Sequence, residues 1–125
     1  MIGGKKNNSS GEIRSILGEG LRINGNIVAE GKVRIDGEIV GDVKGDYIIL
    51  GESGRIKGNV LTNEIVVMGS IEGNIQSEEV EIKSSGKIQG DIVTKKLFVE
   101  LGASIEGHVK TGDFSSKEVQ IENKE

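Results

Sequence analysis

Apolar and polar residues alternate along this chain in a unit that returns six times. The unit is Ile, any residue, Gly, a polar residue, then Ile or Val. It occurs as Ile23-Asn24-Gly25-Asn26-Ile27, Ile39-Val40-Gly41-Asp42-Val43, Ile56-Lys57-Gly58-Asn59-Val60, Ile71-Glu72-Gly73-Asn74-Ile75, Ile88-Gln89-Gly90-Asp91-Ile92 and Ile105-Glu106-Gly107-His108-Val109. The central glycines lie 16, 17, 15, 17 and 17 residues apart. A fixed period filling the chain marks stacked repeats, each too small to bury its own apolar side.

The apolar residues of each period fall into four columns. Two flank the glycine and run from Ile23 to Ile105 and from Ile27 to Val109. The third is Val33, Ile48, Ile65, Val80, Leu97 and Phe114. The fourth is Leu17, Ile35, Leu50, Val67, Ile82 and Val99. The third and fourth columns are two residues apart, which is strand spacing, and no helical period persists beyond one turn. β-Branched residues dominate, as strands favour. The corners are polar and Gly-rich, and they change length (Asp36-Gly37-Glu38 against Gly51-Glu52-Ser53-Gly54-Arg55) while the columns keep register. The pattern predicts an all-β, single-domain, three-sided parallel β-helix of about six turns, each of about 17 residues. At about 4.8 Å per turn the rod is roughly 29 Å long. The residue after each repeat glycine (Asn26, Asp42, Asn59, Asn74, Asp91, His108) is polar throughout, and a hydrogen-bonded corner ladder explains that better than a row of ligands.

Composition narrows the function. The chain has 125 residues, 20 Gly, no Pro, no Cys, no Trp, and 2% aromatics. It has no thiolate metal site, and with a net charge of −4 and mixed signs it offers no basic face for nucleic acid. His108 is the only histidine, so a three-His metal site within one chain is excluded. No Ser–His–Asp or Cys–His set, Walker loop or dinucleotide fingerprint is present. Hexapeptide-repeat acyltransferases need a strict six-residue period, which is absent. The residues predict neither an enzyme nor a cofactor. No apolar run reaches 18 residues, and no secretory h-region follows Met1, so the expected location is the cytoplasm.

An uncapped β-helix exposes backbone groups and an apolar cross-section at each end. No capping helix is encoded, and Phe114 falls on an incomplete last turn. The ends therefore become candidate contacts between copies, with Phe114, Val109 and Ile105 at one and Leu17 and Ile23 at the other.

The succession Ile16-Leu17-Gly18-Glu19-Gly20-Leu21-Arg22-Ile23-Asn24-Gly25, Ile35-Asp36-Gly37-Glu38-Ile39-Val40-Gly41 and Leu101-Gly102-Ala103-Ser104-Ile105-Glu106-Gly107 resembles the bactofilins, bacterial cytoskeletal proteins. The resemblance spans roughly residues 13–114. It implies a right-handed β-helix that polymerises without nucleotide into non-polar filaments, through head-to-head and tail-to-tail contacts. It further implies a scaffold at the inner face of the cell membrane that recruits proteins of cell-wall synthesis, shape or polarity. The family's apolar C-terminal contact carries over onto Phe114.

Residues 13–115 are expected to form the β-helix, with a disordered tail at 1–12 and a second tail at 116–125. The first tail resembles a membrane tip: apolar Met1 and Ile2, then Lys5 and Lys6. Ile2 contributes about 2 kcal/mol on insertion, and each Lys about 1 kcal/mol near anionic lipid. One copy binds weakly and a filament binds by avidity. An outward column, Arg34, Ile49, Val66, Glu81 and Phe98, is apolar at three positions, with Tyr47 near it. Ile49, Val66 and Phe98 thus form a candidate lateral contact. The alternative function is a non-polymerising β-helical module that binds a protein through this face.

Overall fold

A computed structural model describes residues 11–112. These residues form 14 strands and no helix. The strands are β1 (Ile13–Leu17), β2 (Arg22–Asn24), β3 (Ile27–Val28), β4 (Lys32–Ile35), β5 (Glu38–Val40), β6 (Val43–Leu50), β7 (Arg55–Lys57), β8 (Val60–Val67), β9 (Ser70–Glu72), β10 (Ile75–Ile82), β11 (Lys87–Gln89), β12 (Ile92–Val99), β13 (Ser104–Glu106) and β14 (Val109–Thr111). All pairings are parallel, and each joins a strand to its counterpart one turn away. The result is the expected parallel β-helix.

One sheet holds the short strands in the order β13-β11-β9-β7-β5-β2. The other runs β1-β4-β6-β8-β10-β12-β14, with β3 also paired to β6. Its four eight-residue strands cover two sides of the triangle, because each bends midway. In β8 the inward residues are Val60, Thr62, Ile65 and Val67, so the in–out alternation slips by one residue at Asn63–Glu64. The pairing of β8 with β10 skips Asn63 and Glu78 at that bend.

The four columns hold in register. Ile39, Ile56, Ile71 and Ile88 stack on one side, each 1% exposed. Val43, Val60, Ile75 and Ile92 stack on the second, and the Ile48 and Leu50 columns fill the third. A fifth inward column was not anticipated as such: Ala29, Gly45, Thr62, Ser77, Thr94 and Thr111 lie at the bend. Thr62, Ser77 and Thr94 are buried, and their hydroxyls donate to the carbonyls of Glu64, Glu79 and Lys96. The narrow corner takes a small side chain whose hydroxyl bonds its own backbone, which leaves no buried donor unpaired.

At the preceding corner of each turn the repeat glycines and their polar neighbours form the expected ladder. The side-chain oxygen of each ladder residue accepts the backbone N–H of the next: Asn26 from Asp42 (2.9 Å), Asp42 from Asn59 (2.9 Å), Asn59 from Asn74 (3.0 Å), Asn74 from Asp91 (3.0 Å) and Asp91 from His108 (3.1 Å). The preceding glycines take positive φ, 150° at Gly73, and a Cβ there would collide with the carbonyl oxygen of Gly58 one turn back.

Candidate functional site

The columns that close the core midway along the rod stay open at its ends. Ile23 and Ile105, first and last of their column, are half-buried, whereas the four isoleucines between them are buried. Ile27 and Val109 bound the second column in the same way. At the N-terminal end Leu17 and Ala29 are also half-buried, and Ile13 and Leu21 are exposed. Ala103 joins Ile105 and Val109 at the other end. Leu97 and Val99, in the other two columns, are buried.

Backbone pairing tells the same story. Among the described residues β1, β2, β3, β13 and β14 each pair on one side only, which leaves a row of backbone donors and acceptors unmatched along the rod axis. Such an edge can template another strand.

Of the sequence candidates, Leu17 and Ile23 come together at one end and Ile105 and Val109 at the other. Phe114 lies outside the described residues, as do Met1, Ile2, Lys5 and Lys6. Ile27, Ala29, Ile13 and Leu21 belong to the same N-terminal surface and were not singled out. Ile27 was legible, because it shares a turn with Ile23.

The lateral candidates also align: Arg34, Ile49, Val66, Glu81 and Phe98 are register partners. Ile49 and Val66 are half-buried and Phe98 is exposed, so the face is less open than its composition suggests. Lys83 sits 2.8 Å from Glu81 and 3.4 Å from Glu100, and these carboxylates raise its pKa, with Glu81 the stronger. Arg34 is raised by its hydrogen bond to Asp36. Tyr47, under the Lys32 ammonium, is raised by burial and then by Glu64. A shallow hollow at the C-terminal end of this face is lined by Glu79, Glu81, Phe98, Val99, Glu100 and Leu101.

His108 ends the ladder. Its backbone N–H and ring hold the Asp91 carboxylate below the usual range, the backbone bond most strongly. Among the described residues no group of three or more His, Cys, Asp or Glu is placed to hold a metal ion, and no helix is long and apolar enough to cross a membrane.

Among the described residues the chain is a parallel β-helix whose outermost columns are half-buried and whose outermost strands pair on one side, an architecture of stacked turns. The particular family follows from comparison: the chain belongs to the bactofilins, whose family model, described as polymer-forming cytoskeletal, matches residues 15–110. Two solved structures are similar. One is a cryo-EM reconstruction of Thermus thermophilus bactofilin double helical filaments, with 26% identity, a TM-score of 0.74, and coverage of 79% of this chain and 100% of that one. The other is the cytoskeletal bactofilin BacA determined by solid-state NMR, with 32% identity, a TM-score of 0.74, and coverage of 80% and 97%. No curated protein matches the chain. The protein is a polymer-forming cytoskeletal protein of the bactofilin family.

Proposed function

We propose that the chain polymerises without nucleotide, end to end, into non-polar filaments that act as a membrane-associated scaffold. The observation that carries this reading is the half-burial of Ile23, Ile27, Ile105 and Val109 at the two ends of columns that are otherwise closed. Joining like ends completes those columns and pairs the open strand edges. Phe114 and Leu17 belong to the same contacts. Phe114→Arg places an unpaired charge in the C-terminal junction. Sedimentation of that variant is expected to leave it in the supernatant with its far-UV circular dichroism unchanged; pelleting like the parent rejects this junction.

Residues Met1, Ile2, Lys5 and Lys6 form the membrane tip of the scaffold at the inner face of the cell membrane. Deleting residues 1–6 is expected to leave polymers intact and release them from anionic vesicles; unchanged co-sedimentation with vesicles removes the membrane role. Recruitment falls to the Ile49, Val66 and Phe98 side. Its hollow joins Phe98 and Leu101 to Glu79, Glu81 and Glu100, which suits an apolar segment with basic residues from a cell-wall or polarity protein.

A further inference from the structure

A second outward column runs between the ladder and the bend: Val28, Lys44, Leu61, Gln76, Val93 and Lys110, in register through all six turns. Apolar and polar side chains alternate from turn to turn. Val28 is 77% exposed, Leu61 45% and Val93 46%. Leu61 and Val93, with Phe98 and Leu101, are the exposed large apolar residues away from the N-terminal end among the described residues. A groove follows the column, and its other wall is the ladder of Asn26, Asp42, Asn59, Asn74 and Asp91.

We propose that this stripe is a contact between two copies of the chain lying side by side and antiparallel, related by a two-fold axis at the level of Leu61. Val28 and Val93 stand two turns to either side of Leu61, about 9.6 Å away along the rod in each direction. An in-plane two-fold at Leu61 therefore sets Leu61 against Leu61 and Val28 against Val93. Lys44 then meets Gln76, so no ammonium faces another.

The same operation keeps ladder opposite ladder and reverses its order. Asn59 meets Asn59, Asp42 meets Asn74, and Asp91 meets Asn26, so each ladder carboxylate faces a carboxamide. Parallel side-by-side packing, about a two-fold along the rods, also sets apolar against apolar, but it opposes Lys44 to Lys44 and Lys110 to Lys110. Such like-charge juxtapositions cost affinity. The antiparallel contact is isologous, one patch matched to itself. Its one like-charged approach, Asp46 to Glu78, lies at the bend. Asp46 there already accepts the Gly31 N–H at 2.9 Å, and Lys95 stands 4.0 Å from Glu78. A single contact of this size is weak, and repetition along a polymer multiplies it.

The chain has no cysteine, so single cysteines report the geometry directly. Under mild oxidation Leu61→Cys is expected to give a disulfide-linked dimer. Val93→Cys alone is expected to stay monomeric, because the two copies of that residue lie about 19 Å apart in the antiparallel pair. Val28→Cys mixed with Val93→Cys is expected to give the mixed dimer. Leu61 lies two or more turns from either end, so end-to-end junctions cannot produce its cross-link. Failure of Leu61→Cys to cross-link overturns the pairing, whatever else occupies the stripe. Self-cross-linking of Val93→Cys overturns the antiparallel order. Electron microscopy of the same samples separates this from the end-to-end reading: filaments without the Leu61 cross-link reject the lateral contact alone, and cross-linked particles without filaments reject the end contact alone.

Discussion

Gly73 and Gly25 occupy the same position in different turns, and their surroundings differ. Both hold a positive φ, 150° and 141°, that side-chain-bearing residues avoid. A Cβ on Gly73 also strikes the Gly58 carbonyl, whereas one on Gly25 meets nothing within 4 Å. Gly25→Ala is expected to cost about 1–3 kcal/mol from backbone strain alone. Gly73→Ala should cost about 4 kcal/mol or more, a difference that thermal unfolding of the two variants measures. The ladder carries the pH dependence of this corner. Asp91 is held below its ordinary value of 3.8, first by the His108 backbone N–H and then by the ring. A depressed carboxylate contributes stability that is fully present above the unfolded pKa and is lost as pH falls through the folded one. Unfolding midpoints between pH 5 and pH 2 should therefore fall less for Asp91→Asn than for the parent, since the carboxamide keeps the acceptor without the titration; equal falls contradict this role.

At the scale of the element, the strands were legible where apolar residues recur at fixed spacing, and obscure where they do not. Ile39, Ile56, Ile71 and Ile88 announce their column by identity. The column at the bend does not, because Ala29, Gly45, Thr62, Ser77, Thr94 and Thr111 share size rather than hydropathy. Three threonines at one corner were visible in the sequence, but Ser77 and Gly45 broke the chemical pattern. The constant was a small residue two positions after each second-column Ile or Val. The bend also explains why sides expected as separate strands form continuous ones: β8 and β10 turn the corner without losing their pairing except at Asn63 and Glu78. Ser77 holds that turn with hydrogen bonds to Glu79 and Asn63. Ser77→Ala removes these bonds to the Asn63 and Glu79 backbone and is expected to lower stability by about 1–2 kcal/mol in urea unfolding. No change in midpoint would mean that water replaces the hydroxyl. The stripe of Val28, Leu61 and Val93 escaped the sequence reading for a related reason. It is apolar only in alternate turns, so Lys44, Gln76 and Lys110 hide it until the register is known.

Across the whole molecule, the same side chain has two roles according to where its turn lies. Ile71 is buried between turns, and Ile71→Ala should cost about 2–5 kcal/mol of fold stability. Ile105 ends the same column half-buried, so Ile105→Ala should cost the isolated rod about 1–2 kcal/mol and weaken the polymer more than the fold. Unfolding midpoints together with critical concentrations separate the two effects. The half-burial of the end positions was foreseeable because every stacked column has a first and a last member. Their partner was not readable from spacing, because the geometry of one rod leaves like-end and unlike-end joining equally open. The most direct measurement is negative-stain electron microscopy of the purified protein with no nucleotide present, across several salt and protein concentrations. The account predicts long, thin filaments under these conditions. Discrete short particles throughout would contradict it and return the function to the sides of the rod.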